Sequence, residues 1–227
     1  MNCILLGSDS DIAKGLLPFL EKDYKVYHWK RGSGDPSEYV ERWDLCIIAL
    51  GAIAPVGLWH EVDGEQWEAC MESNLLLPLH LLRQLWPKRA LPASVCWFAG
   101  SNPNMIMSGY SAYNCSKMAV LKAVEQLDYE SFDAKFFALG PGIVNTKIHR
   151  ATLEANWDNP KLMQALAKGH STPMEAIHKC LQWCIRHPKD VIGGRNICIS
   201  DPWDMPSMDT AYYLEQHPDH WKLRRKE

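Results

Sequence analysis

The sequence predicts an α/β fold: a doubly wound, mostly parallel sheet with helices on both faces, built as a single domain over residues 1–227. Three observations predict it. Short apolar runs alternate along the chain with segments of helical period. The runs are apolar at successive positions, as strands buried on both faces require. Hydrophobic residues make up 47% of the chain, enough for one large core.

Cys3–Leu6 is a short buried strand and Ile12–Leu20 an amphipathic helix. Lys25–Trp29 is a second strand, Glu38–Trp43 a short helix and Leu45–Leu50 a fully apolar strand. Glu65–Leu85 carries a long helical pattern. Val95–Ala99 is a strand, Ser111–Ser131 a long helix and Lys135–Leu139 a strand. Met174–Arg186 is a helix with its own start signal: Thr172 as the cap, Pro173 at the first helical position and Glu175 three residues after the cap. Arg195–Ile199 is the last strand. Gly32–Pro36 and Gly193–Gly194 are turns. The stretch 146–171 is irregular, broken by Asn159-Pro160 and Gly169. It reads as a substrate-binding insertion of about residues 146–175 rather than a second domain.

Bulk properties exclude several function classes. The net charge is −3 and no long basic run appears, so nucleic acid is not an expected partner. The basic cluster Lys222, Arg224, Arg225 and Lys226 at the C-terminus reads as solvated. No stretch approaches the length of a membrane span, and the N-terminal Met-Asn-Cys-Ile-Leu-Leu-Gly lacks the pattern of a signal peptide. The eight cysteines form no Cys-x-x-Cys and mostly lie inside apolar runs. They read as reduced, buried thiols of a cytoplasmic protein with no metal site.

The first strand runs into Gly7-Ser8-Asp9-Ser10-Asp11-Ile12-Ala13. A tight turn from a strand into a helix aims backbone N–H groups at a pyrophosphate, and the helix dipole adds positive potential. Gly7, Ser10, Asp11 and Ile12 are therefore candidate cofactor-binding positions. Asp11 is the unusual one: a carboxylate facing a pyrophosphate would repel it. The reading preferred here is that Asp11 caps the helix and points away.

Tyr113-Asn114-Cys115-Ser116-Lys117 carries the chemistry. Tyr and Lys at i and i+4 share a helix face. An ammonium beside a phenol favours the phenolate, so Lys117 is expected to lower the Tyr113 pKa and make it an acid/base near neutral pH. Ser101 follows the strand Val95–Ala99, at a carboxyl end where open α/β sheets bind ligands. Asn74 lies in the helix after Leu45–Leu50. Pro78, four residues on, has no N–H and crowds the carbonyl of residue i−4, which releases the Asn74 carbonyl from the helix ladder.

In these motifs, in their order and spacing from Gly7 to Thr146, the chain resembles the short-chain dehydrogenase/reductase family, in its short single-domain branch with a Rossmann fold. The resemblance implies a catalytic tetrad of Asn74, Ser101, Tyr113 and Lys117. Tyr113 would transfer the proton, Ser101 bind the substrate oxygen, Lys117 hold the nicotinamide ribose and Asn74 hold a relay water. Pro141, Gly142, Ile143 and Thr146 match the family's nicotinamide-holding segment. Gly51 matches the glycine of its Asn-Asn-Ala-Gly motif, although Ile48-Ala49-Leu50 replaces the residues before it. In the phosphate turn, Asp11 and Ala13 stand where the family has its second and third glycines.

The resemblance implies a hydride-transferring oxidoreductase using NADP or NAD. The second strand ends without an acid for a ribose 2′-OH, and Lys30 and Arg31 could pair with a 2′-phosphate instead, which favours NADP. The short path from Arg31 to the next strand implies that a family helix and strand are reduced there. The expected partner is a small carbonyl or alcohol substrate, and the family's habit implies a homodimer or homotetramer. The runs Gly194–Asp204 and His217–Arg225 resemble tails of members associated with surface-polysaccharide and nucleotide-sugar pathways, so a sugar-linked substrate stands beside a generic ketone or alcohol. The competing reading is a catalytically silent dinucleotide-binding sensor on the same fold. A longer epimerase-type branch needs more chain after Thr146.

Overall fold

The computed structural model describes residues 1–100, 105–204 and 209–224. Ser101, and Arg225 and Lys226 of the basic tail, lie outside the described residues. The strands are β1 (Asn2–Leu6), β2 (Lys25–Trp29), β3 (Trp43–Ile48), β4 (Arg89–Phe98), β5 (Ala134–Gly140) and β6 (Asn196–Cys198). They form one six-stranded sheet in the order β2-β1-β3-β4-β5-β6, every pair parallel. After β1 the chain moves to one side to lay down β2 and then crosses to the other for β3. The switch point therefore lies between β1 and β3, and a crevice opens above their carboxyl ends.

Successive residues of each strand feed two separate cores. Cys3, Leu5, Leu45, Ile47, Phe137 and Leu139 pack with Leu16 and Leu20 of α1 (Asp11–Leu20) and with Ile177 and Leu181 of α7 (Met174–Arg186). Ile4, Leu6, Cys46, Ile48, Phe136 and Ala138 pack on the other face. Their partners are Leu81, Leu82 and Leu85 of α3 (Leu77–Leu85) and Val120 and Val124 of α4 (Ser111–Glu130). A strand covered on both sides has no polar face to spare, which is why β5 is buried along its whole length.

Between β2 and β3 the structure has a single 3₁₀ turn, Pro36–Glu38, capped by Asp35 through the Ser37 N–H at 2.8 Å. The expected helix Glu38–Trp43 is not formed. Proline and the Asp35 cap start a turn that stops after one round, and Trp43 is buried as the first residue of β3, its indole N–H donating to Leu85 O at 2.9 Å.

The long helical run is interrupted. α2 (Gly64–Met71) passes into a π-turn, Glu72–Leu76, before α3 begins, and the Leu77 N–H bonds Glu72 O, five residues back. Pro78 supplies the cause: it cannot donate to residue 74, and the ladder widens by one residue to accommodate it.

The stretch after Thr146 is more regular than its sequence suggests. It holds a 3₁₀ turn, α5 (Arg150–Glu154) and α6 (Pro160–Ala167), the latter capped by Asn159. Asn159-Pro160 therefore starts a helix instead of breaking one. Thr172 does not cap α7, because the helix starts one residue later than expected: Met174 is its first residue and Pro173 occupies the cap position with no side-chain bond, while the Thr172 N–H donates to Ile143 O at 2.8 Å. The chain continues through α8 (Lys189–Ile192) and, after β6, ends with α9 (Thr210–Gln216). Among the described residues no helix is long and apolar enough to cross a membrane.

Candidate active site

The crevice at the switch point is lined by Ser10, Asp11 and Ile12 from the β1–α1 turn and by 49–54 after β3. Phe98 ends β4 and Ala99 and Gly100 follow it, Tyr113 and Lys117 come from α4, and Pro141, Gly142, Val144 and Thr146–His149 follow β5. Every segment arrives from the carboxyl end of a strand or from the first turns of a helix.

The β1–α1 turn is built for close approach. Gly7 has φ +85°, and a Cβ there would stand 2.9 Å from Ala49 C and Leu50 N, so only glycine lets β1 and the β3 exit lie this close. Gly7 does not line the crevice but anchors the end of β2, with Gly7 N–H and Ser8 N–H both donating to Trp29 O.

Ser10, not Asp11, is the cap of α1: its Oγ accepts from Ala13 N–H at 3.2 Å. Asp11 is the first residue of the helix, and its Oδ2 accepts the Lys147 N–H at 2.6 Å. The expectation that Asp11 caps the helix fails because Ser10 already holds the cap geometry. Among the described residues the N–H groups of Asp11 and Ile12 have no partner, as the first turn of any helix leaves them. Two orphan donors and a helix N-terminus fit a phosphate.

Tyr113 and Lys117 lie one turn apart on α4 with the Lys117 Nζ 5.9 Å from the centre of the Tyr113 ring. Lys117 is buried and donates to Phe98 O at 3.0 Å, at the carboxyl end of β4. Burial moves both groups: the Tyr113 phenol is pushed up to about 12, with a smaller push from Cys70, and the Lys117 ammonium is brought down to about 8. The expected depression of the phenol by Lys117 is thus reversed. Desolvation of the phenol dominates, and the Lys117 ammonium is already bonded to the Phe98 carbonyl.

Asn74 is fully buried beside this pair. Its Oδ1 accepts from Ala52 N–H at 3.1 Å, and its Nδ2 donates to Ala52 O at 2.8 Å and to Cys70 Sγ at 3.2 Å. The side chain clasps the peptide that lines the crevice and does not line it itself. Gly51 makes this possible, since a Cβ there would reach Asn74 Oδ1 at 2.8 Å and Lys117 Nζ at 3.5 Å.

No family model matches the chain. It is 26% identical over 133 residues to an uncharacterized oxidoreductase of Schizosaccharomyces pombe, covering 54% of this chain and 51% of that protein. It is 28% identical over 153 residues to a short chain dehydrogenase of Penicillium roqueforti, covering 61% and 60%. The chain thus spans little more than half the length of the curated relatives it matches. A short chain dehydrogenase/reductase from Saccharomyces cerevisiae superposes with a TM-score of 0.71 at 19% identity, over 89% of this chain and 97% of that one. A short chain dehydrogenase from Shigella flexneri complexed with NADP gives 0.70 at 16%, over 88% and 97%. The chain has the short-chain dehydrogenase/reductase fold.

Within this fold the remaining sequence-predicted positions divide. Pro141, Gly142 and Thr146 line the crevice; Ile143 does not, and its carbonyl ties the segment to Thr172. Gly142 has φ +74°, and a Cβ would strike Thr172 Oγ1 at 2.5 Å. Lys30 and Arg31 stand on the exposed turn after β2, outside the crevice lining but next in chain to Trp29, whose carbonyl holds Gly7 and Ser8. Arg31 reaches Ser73 Oγ at 3.5 Å. Seven of the eight cysteines are buried, Cys115 being the exposed one. Among the described residues no cluster of His, Cys, Asp or Glu could hold a metal ion.

Lys147 and His149 line the crevice from the start of the insertion expected to bind substrate. His149 Nε2 lies 3.1 Å from Val144 O, which makes it the donor, and Nδ1 is buried with no partner among the described residues. Burial lowers the imidazole pKa and the bond to Val144 raises it, with a net lowering. Their signal in the sequence was membership of the insertion after Thr146.

Proposed function

We propose that this protein is an NADP-dependent oxidoreductase that reduces a small carbonyl compound to its alcohol, with Tyr113 as the proton donor. The observation that carries the reading is the pairing of Tyr113 with a buried Lys117 on one helix face, at the crevice where two orphan helix N–H groups await a phosphate.

Bound NADPH supplies a hydride to the carbonyl carbon. The protein's own part is the proton. A phenol raised to about 12 is protonated at neutral pH and is ready to donate to the oxygen as it becomes an alkoxide. Lys117, charged below about 8, then stabilises the phenolate left behind. Asn74 keeps the Ala52 peptide in place at the crevice wall, and a relay water on its released carbonyl belongs to the same reading. Ser101 completes the tetrad as the hydrogen-bond donor to the substrate oxygen. Pro141, Gly142, Ile143 and Thr146 form the nicotinamide-holding segment.

The preference for NADP over NAD rests on Lys30 and Arg31 beside the β1 turn, supported by the NADP-bound neighbour from Shigella flexneri. Beyond the carbonyl itself the substrate is a ketone or aldehyde, with a sugar-linked compound as the narrower reading. A homodimer or homotetramer in a reducing, cytoplasmic setting accords with the fold and with the buried cysteines.

The test is NADPH oxidation against a carbonyl panel, with NADPH affinity measured by fluorescence. Tyr113→Phe should abolish turnover by 10²-fold or more, roughly the contribution of general acid catalysis, while leaving affinity intact. A wild type that binds NADPH but turns over no carbonyl, with Tyr113→Phe indistinguishable from it, establishes the silent sensor instead.

A further inference from the structure

We infer that Lys147 is the counter-charge for the cofactor's pyrophosphate, and that Asp11 is the residue that positions it. The inference rests on the proposed dinucleotide-binding function and extends it to two residues that the family resemblance does not supply.

Asp11 replaces a glycine in the phosphate turn of the family, and it is one of the residues lining the crevice. Alone it would repel a pyrophosphate. The structure shows what it is engaged with. Asp11 Oδ2 accepts the main-chain N–H of Lys147 at 2.6 Å, a charge-assisted bond joining the two walls of the crevice. The same lysine turns its side chain back across the opening, and its Nζ donates to Asp9 O at 2.9 Å, inside the β1–α1 turn. The segment after β5 is thus buckled to the phosphate turn twice, and the second buckle carries a positive charge.

That charge stands on the turn which, with the N–H groups of Asp11 and Ile12, would receive a diphosphate. An ammonium has three donors, and the bond to Asp9 uses one. The ammonium offsets the Asp11 carboxylate, and the arrangement supplies by a side chain the attraction that a glycine-rich turn supplies by main chain alone. The chemistry reads the diphosphate and is indifferent to the 2′ position, which separates Lys147 from Lys30 and Arg31.

The test is the dissociation constant of the full-length protein for NADPH and for NADH, followed by nicotinamide fluorescence. Lys147→Met should weaken both about tenfold, the loss of one partly exposed charge-assisted bond to phosphate. Lys147→Arg should hold both near wild type. Asp11→Asn and Asp11→Ala both remove the charge, but only asparagine keeps an acceptor for the Lys147 N–H. Asn should therefore bind several-fold tighter than Ala.

Unchanged affinities in Lys147→Met overturn the inference. So does a loss confined to NADPH, which would make Lys147 a reader of the 2′-phosphate, and so does an equal loss in Lys147→Met and Lys147→Arg. Equal affinities in the two Asp11 variants overturn the positioning role. A wild type that binds neither dinucleotide removes the proposed function itself, a result distinct from all of these.

Discussion

Replacing Asn74 by alanine tests how the crevice wall is held. Asn74 is fully buried and bonds both polar groups of the Ala52 peptide, accepting at 3.1 Å and donating at 2.8 Å. Truncation leaves the Ala52 N–H without its acceptor and the Ala52 carbonyl with only the Cys70 thiol at 3.5 Å. An orphaned buried group costs about 1–3 kcal/mol, and the peptide's place at the edge of the crevice lets water recover part, so the sum is about 3 kcal/mol with the small cavity included. For a chain of this size that corresponds to a fall in Tm of roughly 6–12 °C. Guanidinium unfolding measures it, with an unchanged denaturant slope as the check that the unfolded state is the same. Asn74→Asp keeps the acceptor but faces a carboxylate oxygen with the Ala52 carbonyl. It should be as damaging at neutral pH and partly recover in acid, once the carboxyl can donate. A loss below about 1 kcal/mol in Asn74→Ala would refute the clasp, because two bonds to a partly buried peptide cannot be that cheap to lose.

Two further outcomes follow from the buried lysines. The Lys117 ammonium, brought down to about 8 by burial, is charged below that pH and neutral above it; carbonyl reduction should therefore fall as pH rises through about 8, and a rate flat across that range would remove Lys117 from the proton step. Lys135, also brought to about 8 by burial, donates to Cys184 O at 2.8 Å and Ile185 O at 3.0 Å and to His187 O at the end of α7. Lys135→Met should cost about 2 kcal/mol in urea unfolding by orphaning those carbonyls. Both lysines titrate lower folded than unfolded, so between about 8 and the ordinary lysine value the unfolded chain holds protons that the native state has shed. Stability should rise with pH across that window and be lost again as pH falls through about 8. Lys135→Met should flatten the rise.

The legible part of this protein was whatever local pattern decides. Apolar runs gave the strands to within two residues at each end, because a strand buried on both faces must be apolar at every position, but β4 starts six residues before its apolar run, where Leu91 and Pro92 are exposed. Tyr113 and Lys117 were visible as a pair because an i, i+4 spacing places them together whatever the rest of the chain does. Pro78 announced a disturbed helix, and the π-turn at Glu72–Leu76 is that disturbance. Misreadings arose where two local signals competed. Ser10 and Asp11 are both good caps, and only the backbone geometry of the turn chose Ser10. Asn159-Pro160 is read equally well as a break or as a start, and the apolar residues buried after it made it a start.

The sequence by itself determined the strand-and-helix alternation, the buried thiols and the Tyr-Lys pair, because each depends on neighbours within a turn or two. Only the tertiary structure decided the proton states and the company that Asp11 keeps. A pKa depends on the water excluded by the whole fold, which took Tyr113 up and Lys117 down against the pairwise expectation. Asp11 and Lys147 stand 136 positions apart, and nothing local could bring a carboxylate in the first turn of the first helix to the N–H that follows the fifth strand.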